Sequence, residues 1–379
     1  MVFGKVRPMN LSHEILDDTG LKQIFEVLGT DKARLVGGCV RNAILGVPVT
    51  DIDIATPLLP DEVMAKLSKS GIKVIPTGLD HGTVTAVIDK IHYEITTLRR
   101  DVETDGRHAV VAFTKSWEED AQRRDFTMNT LLCDITGDIF DPTGQGLEGL
   151  NTRRVIFVGD PEQRIQEDYL RILRFFRFHA YYGEGKPDKE ALKACSKFAA
   201  RITDLSKERV TIEFFKILIA DHVITTLEIM NTNNVMTTYF DLDFDHAAFE
   251  RCDDVTGRLA CLCSLNLDKF NFLSEKLVLS NKQIKTVTEI IKASEMSLLN
   301  EHDIKLALYR YDGDIVCQLC LMRGIDLKKL QKLEVPVFPV SGDDLIAKGF
   351  QSGPELGQKL KEIEAKWIEN DFVLPEGLV

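Results

Sequence analysis

Between residues 34 and 97, apolar and polar positions alternate in short runs punctuated by glycine and by helical stretches. ARLVGG predicts a strand entering a glycine turn, and CVRNAILG a short helix stopped at Gly46. TDIDIAT predicts the next strand, after which a helix opens at Pro60 with Asp61 and Glu62 in its first turn. IKVIPTG, GTVTAVID and IHYEITTLRR predict three further strands, rich in β-branched residues and bounded by glycine or charge. The segment LRRDVETDGRHAVVAFTKSWEEDA has no clear period and reads as a long structureless stretch, functional or mobile. RRDFTMNTL then predicts a helix carrying Asp125 and Asn129 on one face, with Arg124 beside them.

After about residue 150 the period changes to that of helices. GKPDKEALKAC, SKERVTIEFFKIL and NKQIKTVTEIIKA are all amphipathic at helical spacing. GDPEQRIQEDYLRILRFFRFHAYYG predicts one long helix with Asp160 as N-cap, Pro161 first and Gln163 closing a capping box. On its wheel Ile165, Tyr169, Ile172, Leu173, Phe176 and Ala180 form one apolar face. Arg164, Asp168, Arg171, Phe175 and Phe178 share another, and two Phe among charges predict a contact there. The fold class expected is α+β, a mixed head followed by helices.

Composition narrows the class without fixing function. The 379 residues are 44% apolar and 28% charged, as in a soluble globular protein of two to four folding units. No run of about 18 apolar residues predicts a membrane span, and the N-terminus lacks the pattern of a secretory leader. A cytoplasmic protein is expected. The eight cysteines lie scattered in apolar segments, as reduced core residues do. Cys317 and Cys320 form a C-x-x-C without a second pair, which reads as packing rather than zinc or redox chemistry. Net charge is −12, yet residues 151–220 hold 14 Lys and Arg against 10 Asp and Glu. That is either a phosphate-binding surface or a solvated mixed-charge one, and charge alone does not decide.

The candidate chemistry begins at Gly37 and Gly38, between a strand and a helix. Such a turn lets backbone approach a ligand closely, and the N–H groups of the following helix favour an anion. Arg41, one turn into that helix, is in reach of a phosphate. Asp51 and Asp53, two apart on a predicted strand, share a facing. They are either water-facing strand acids or a site for Mg²⁺ in nucleotidyl transfer. Glu94, on a neighbouring strand, is a candidate third carboxylate or a water-facing residue. Asp168 and Arg171 are either an ion pair within a helix or a reader of bases. As a reader, the carboxylate accepts from the exocyclic amine of cytosine or adenine while the guanidinium donates to the ring nitrogen. Guanine and uracil reverse that pattern.

GGCVRN…TDIDIAT, EITTLRRDVETDGRH, RRDFTMN, QEDYLRILRFFRF and SKERVTIEFFKIL occur in the order found in class II tRNA nucleotidyltransferases, the CCA-adding enzymes. Over about residues 35–218 the chain resembles that family, and bacterial class II poly(A) polymerases share much of the pattern. The resemblance implies a polymerase-β-like head over 1–150, a helical neck over 151–220, a body over 221–300 and a tRNA-binding tail over 301–379. It implies metal binding by Asp51 and Asp53, triphosphate at the glycine turn, and ribose and phosphate contacts from Arg124, Asp125 and Asn129. Asp168 and Arg171, with Glu167 and Arg174 alongside, would act as a protein template for CTP and then ATP. The polar segment near 99–120 corresponds to the family's flexible loop, and Glu208 and Arg209 would brace the neck. One departure is Asn42, where the family commonly has Asp.

The expected reaction is addition of CCA to tRNA 3′ ends from CTP and ATP, releasing pyrophosphate. The alternatives are a poly(A) polymerase, an enzyme adding only CC or only A, and, in another class, a non-catalytic RNA-binding relative. Retention of Asp51 and Asp53 counts against the last.

Overall fold

Helix α1 (Thr19–Leu28) opens on Asp18, whose side chain accepts from the Leu21 amide at 2.6 Å and the Tyr93 hydroxyl at 2.7 Å. The computed structural model describes residue 11, residues 13–105, 108–237, 239 and 244–378. Two compact units divide the chain, Met1–Met236 and Thr237–Val379.

In the first unit the predicted strands form where the sequence places them. After α1 come β1 (Arg34–Val36), α2 (Gly38–Leu45), β2 (Ile52–Thr56), α3 (Pro60–Lys69), β3 (Lys73–Gly78), β4 (Thr83–Ile88) and β5 (Ile91–Thr97). Further on, β8 (Leu132–Cys133) and β9 (Ile139–Phe140) complete a sheet in the order β3-β4-β5-β2-β1-β8-β9. All neighbours are antiparallel except β2 and β5, which run parallel. Alternation then assigns the two faces of that parallel pair. Ile54 and Ile95 are partners and fully buried, whereas their neighbours Asp53 and Glu94, also partners, point to the other side.

The stretch read as structureless is instead a hairpin of β6 (Arg99–Asp105) and β7 (His108–Phe113), followed by α4 (Trp117–Gln122). RRDVETD lacks the alternation that marks a strand, and pairing with HAVVAF supplies what the pattern does not. Residues 106 and 107, within the expected flexible loop, lie outside the described residues.

Beyond α5 (Gly146–Asn151) the unit is helical: α6 (Pro161–Glu167), α7 (Leu170–Tyr182), α8 (Lys189–Phe198), α9 (Lys207–Leu218) and α10 (Val223–Thr232). Where one long helix is predicted, two stand. Asp168 between them is extended (φ −158°, ψ 108°), and its Oδ1 accepts from the Leu170 amide at 3.1 Å, starting α7 anew. The predicted contact of the charged face is internal. Phe175 and Phe178 are buried against Phe126 and Phe157, with the Phe157 and Phe175 rings stacked at 5.8 Å. Each fully buried Phe is worth about 1.5–3 kcal/mol, so this cluster fixes α7 on the head. Helix α10 belongs to this first unit.

The second unit is helical throughout its described residues, from His246–Arg251 to Pro354–Glu369. Asn281–Ala293 packs between Val255–Leu262 and Gly313–Met322, as its amphipathic pattern predicts. A separate cluster of Val340, Leu345 and Ile363 holds the last two helices, joined by Phe338, Leu360 and Leu374. All eight cysteines are free, and all but Cys317 are buried. No helix among the described residues is long and apolar enough to cross a membrane.

Candidate active site

Gly37 caps α2 with a positive φ of 74°, a conformation that favours glycine, and leaves the first amides of the helix unpaired by any side chain. Two guanidiniums flank the turn. A Cβ built on Gly37 would meet Arg124 Nη1 at 3.5 Å, and one on Gly38 would meet Arg41 Nη2 at 3.6 Å. These are the parts of a cradle for an anion: amides without a side-chain cap, a helix start and positive charge beside it.

Asp53 lies within β2, and Asp51 falls just before the strand, exposed, with its Oδ2 accepting from Thr50 Oγ1 at 3.1 Å. Burial, Glu94 and Asp51 together raise the Asp53 carboxyl to about 6, while Arg124 works in the opposite direction. Two neighbouring acids thus act on Asp53 near the start of β2. A cleft of about 690 Å³ borders Asp51 and is lined also by His13, Asp18, Thr50 and His92. Among the described residues no three His, Cys, Asp or Glu side chains are gathered closely enough to hold an ion together. Glu94 is the strand partner of Asp53 and raises its carboxyl, and carboxylate oxygens such as these suit a hard divalent cation.

The helix expected for RRDFTMNTL does not form. α4 ends at Gln122, Phe126 is extended, and Thr127–Asn129 is a single 3₁₀ turn. The cause is pairing with the chain ahead of α6: the Thr127 amide donates to Ile156 O at 2.9 Å and the Val158 amide to Asp125 O at 3.0 Å. Asp125 and Asn129 still meet, with Asn129 Nδ2 donating to Asp125 Oδ1 at 3.0 Å. Asp125 Oδ2 accepts from Arg174 Nε at 2.8 Å, reaching from the head to α7. Burial alone would raise this carboxyl, but Arg174, Asn129 and the Phe126 amide overcome it and hold it down at about 2.

Arg124 is steered by a residue the motif reading passed over. Asp120, buried in α4, takes Arg123 and Arg124 at 2.8 Å each, and its spacing of three and four residues is the signal that would have found it. The other end of the segment is gripped by Arg164 of α6, whose Nη2 donates to the backbone carbonyls of Arg123 and, at 2.9 Å, Arg124.

On the neck, Asp168 and Arg171 are held by other residues. Asp168 Oδ2 accepts from Arg209 Nη2 of α9 at 2.7 Å. Arg171 Nη1 donates to Glu167 Oε2 at 2.6 Å and to Arg164 O at 2.8 Å. Glu213, another residue the sequence reading did not single out, is buried between Arg177 at 2.7 Å and Arg174 at 3.8 Å. A carboxylate and a guanidinium are thereby fixed near each other in sequence, each restrained from outside. Chains of contact run from the neck to the head through Arg164 and Arg174. The arrangement combines an anion cradle, an acidic centre fit for a dication and a donor–acceptor pair, which are the parts nucleotide transfer requires.

Comparison with known proteins agrees with this inventory. Residues 33–156 match the model of the "Poly A polymerase head domain", and residues 186–241 that of the "Probable RNA and SrmB- binding site of polymerase A". The chain is 34% identical to mitochondrial CCA tRNA nucleotidyltransferase 1 of Homo sapiens, over 93% of this chain and 87% of that one. It is 32% identical to the CCA-adding enzyme of Streptococcus sanguinis (strain SK36), over 92% and 91%. Among solved structures, the Bacillus stearothermophilus CCA-adding enzyme in complex with CTP superposes with a TM-score of 0.72 at 25% identity, covering 93% of this chain and 94% of that one.

Proposed function

Because the chain belongs to the family of CCA-adding tRNA nucleotidyltransferases, we propose that it adds CCA to tRNA 3′ ends from CTP and ATP, releasing pyrophosphate. The observation that carries this is the whole-length likeness to relatives named for that reaction.

The amides at the start of α2 and the Arg124 guanidinium take the triphosphate. Asp51 and Asp53 hold the divalent cation, which we take to be Mg²⁺ because hard carboxylate oxygens suit it. When bound, the cation supplies activation of the attacking 3′-hydroxyl and charge compensation for the departing pyrophosphate. Glu94 adds negative charge beside Asp53 and strengthens the site's demand for a cation. Asp125 and Asn129 orient the ribose and phosphates, with Arg174 fixing Asp125. Asp168 accepts from the exocyclic amine of cytosine or adenine, and Arg171 donates to the ring nitrogen. Arg209 and Glu167 keep those two groups from wandering, which lowers the entropy cost of reading a base. The eight free thiols suit a reducing compartment, and the cytoplasm is the proposed location.

The test is incubation of the full chain with Mg²⁺, CTP, ATP and tRNA ending at its discriminator base. Discrete three-nucleotide CCA ends are expected. Long A tracts would mark a poly(A) polymerase, as the head's family description allows, and a product stopping at CC, or formed only on tRNA already carrying CC, would mark divided labour. No addition to any RNA would leave a binding relative.

A further inference from the structure

Arg41 was read from sequence as a residue in reach of phosphate, yet it is only 7% exposed. Its guanidinium is largely engaged within the protein. Nη1 donates to Asn129 Oδ1 at 2.6 Å, Nη2 to the Tyr182 hydroxyl at 2.8 Å and Asn42 Oδ1 at 2.9 Å, and Nε to Asn42 Oδ1 at 3.1 Å. The same group lies over the rings of Tyr182 and Phe178, at 4.2 and 5.1 Å from their centroids. An arginine has five N–H donors, so four of them are committed here.

These partners belong to three pieces of chain: α2, the turn after Asp125, and the C-terminal end of α7. Together they close a ring. Arg41 binds Asn129, Asn129 binds Asp125, Asp125 binds Arg174, and α7 carries the chain from Arg174 on to Tyr182, which returns to Arg41. The Arg41 amide donates to Gly37 O at 3.1 Å, the first hydrogen bond of α2, which ties the residue to the glycine turn.

We infer that Arg41 and Tyr182 are positioning residues, a latch that sets the distance between the triphosphate cradle and the base reader. This rests on the function proposed above. One helix, α7, carries Arg171 near its start and Tyr182 at its end. A nucleotide held at both its base and its phosphates demands that those two sites keep a fixed separation, and a displacement of about 1 Å at a reacting centre costs on the order of a hundredfold in rate. Arg41 serves the nucleotide through the turn it anchors and does not touch phosphate. Tyr182 acts through its hydroxyl, which is tied to the glycine turn by way of the Arg41 guanidinium.

Tyr182→Phe removes that hydroxyl and keeps the ring over Arg41. Dissociation constants for CTP and CMP, with steady-state addition to tRNA, are measured for the wild type, Tyr182→Phe, Arg41→Lys and the double variant. The latch predicts about tenfold weaker CTP binding and a raised KM for CTP and ATP alike in Tyr182→Phe, the scale of a lost hydrogen bond to a charged group. CMP binding stays unchanged, and the double variant is no worse than Arg41→Lys. If Arg41 instead contacts phosphate, Arg41→Lys weakens CTP binding while Tyr182→Phe binds CTP like the wild type, which overturns the latch. Loss of CTP and CMP binding in equal measure, in step with a lowered melting temperature, overturns it also by making Tyr182 merely structural. A wild-type chain that adds nothing to tRNA fails the proposed function; an active wild type with an unaltered Tyr182→Phe fails the latch alone.

Discussion

Asp53 and Glu94 are direct partners across the parallel pairing of β2 and β5, two carboxylates side by side on the face opposite Ile54 and Ile95. With no cation between them, burial and mutual repulsion raise Asp53 to about 6. A carboxyl raised on folding contributes stability that is present below its unfolded value and lost as pH rises through about 6. Asp53→Asn is therefore expected to abolish nucleotide addition while stabilising the metal-free protein by about 1–2 kcal/mol above pH 6. Thermal melts of both proteins without metal, at pH 5 and pH 8, check this, and an Asp53→Asn variant that melts below the wild type at pH 8 would count against it.

Metal linkage follows from the same acids. Mg²⁺ is expected to raise the melting temperature of the wild type and to leave Asp51→Ala/Asp53→Ala unmoved, since a ligand stabilises only the state that binds it. Chelation is expected to stop addition, and restored Mg²⁺ to restart it. A wild-type melt that Mg²⁺ does not move would argue that these carboxylates are not the ligands.

Asp125 behaves in the opposite sense. Arg174, Asn129 and the Phe126 amide outweigh burial and hold it at about 2, so its contribution is present above the unfolded value and fades as pH falls toward 2. Asp125→Asn is expected to cost about 2 kcal/mol at pH 7 and progressively less below pH 4. Urea unfolding at several pH values measures it; a gap independent of pH would mean that the Arg174 pair is not the cause.

At the neck, Arg171→Ala is expected to lower incorporation of C and A at least tenfold and to admit G and U relative to the wild type, because the ring-nitrogen contact disappears. Arg209→Ala, which frees Asp168, is expected to weaken selection in the same direction by a smaller factor. Incorporation assays with each of the four triphosphates decide; unaltered preference in Arg171→Ala would remove it from the reader.

The thiols offer a test of packing. Seven of the eight are buried and Cys317 is half-buried, so a thiol-reactive disulfide reagent is expected to label Cys317 first and the others only on unfolding.

Much of this was legible beforehand, for reasons that differ by element. β5 is legible because one face is buried and alternation marks it, β4 because its β-branched run is bounded by glycine, and α2 because Gly46 stops it where the pattern ends. The hairpin was missed because RRDVETD has no such alternation and its order comes from its partner strand. The RRDFTMN helix does not form because Phe126 is extended and bridged to Phe157, some thirty residues on, which nothing local announces. Spacing and strand assignment place Asp53 and Glu94 on neighbouring strands, where the structure pairs them. Tyr182 and Glu213 were not legible, since a tyrosine at a helix end and an acid among apolar residues acquire meaning only from what folds against them.

The interruption of the neck helix at Asp168 has a consequence for chemistry. In one unbroken helix, Asp168 and Arg171 would stand three residues apart on one face, opposite charges free to quench each other. An acid and a guanidinium that satisfy one another have nothing left to offer a guest. The kink turns Asp168 aside and gives it to Arg209, while Glu167 keeps Arg171. On the proposed reading, the discrimination between bases is protected by a backbone that prevents self-neutralisation: two charges are kept apart from each other so that a cytosine or an adenine can stand between them.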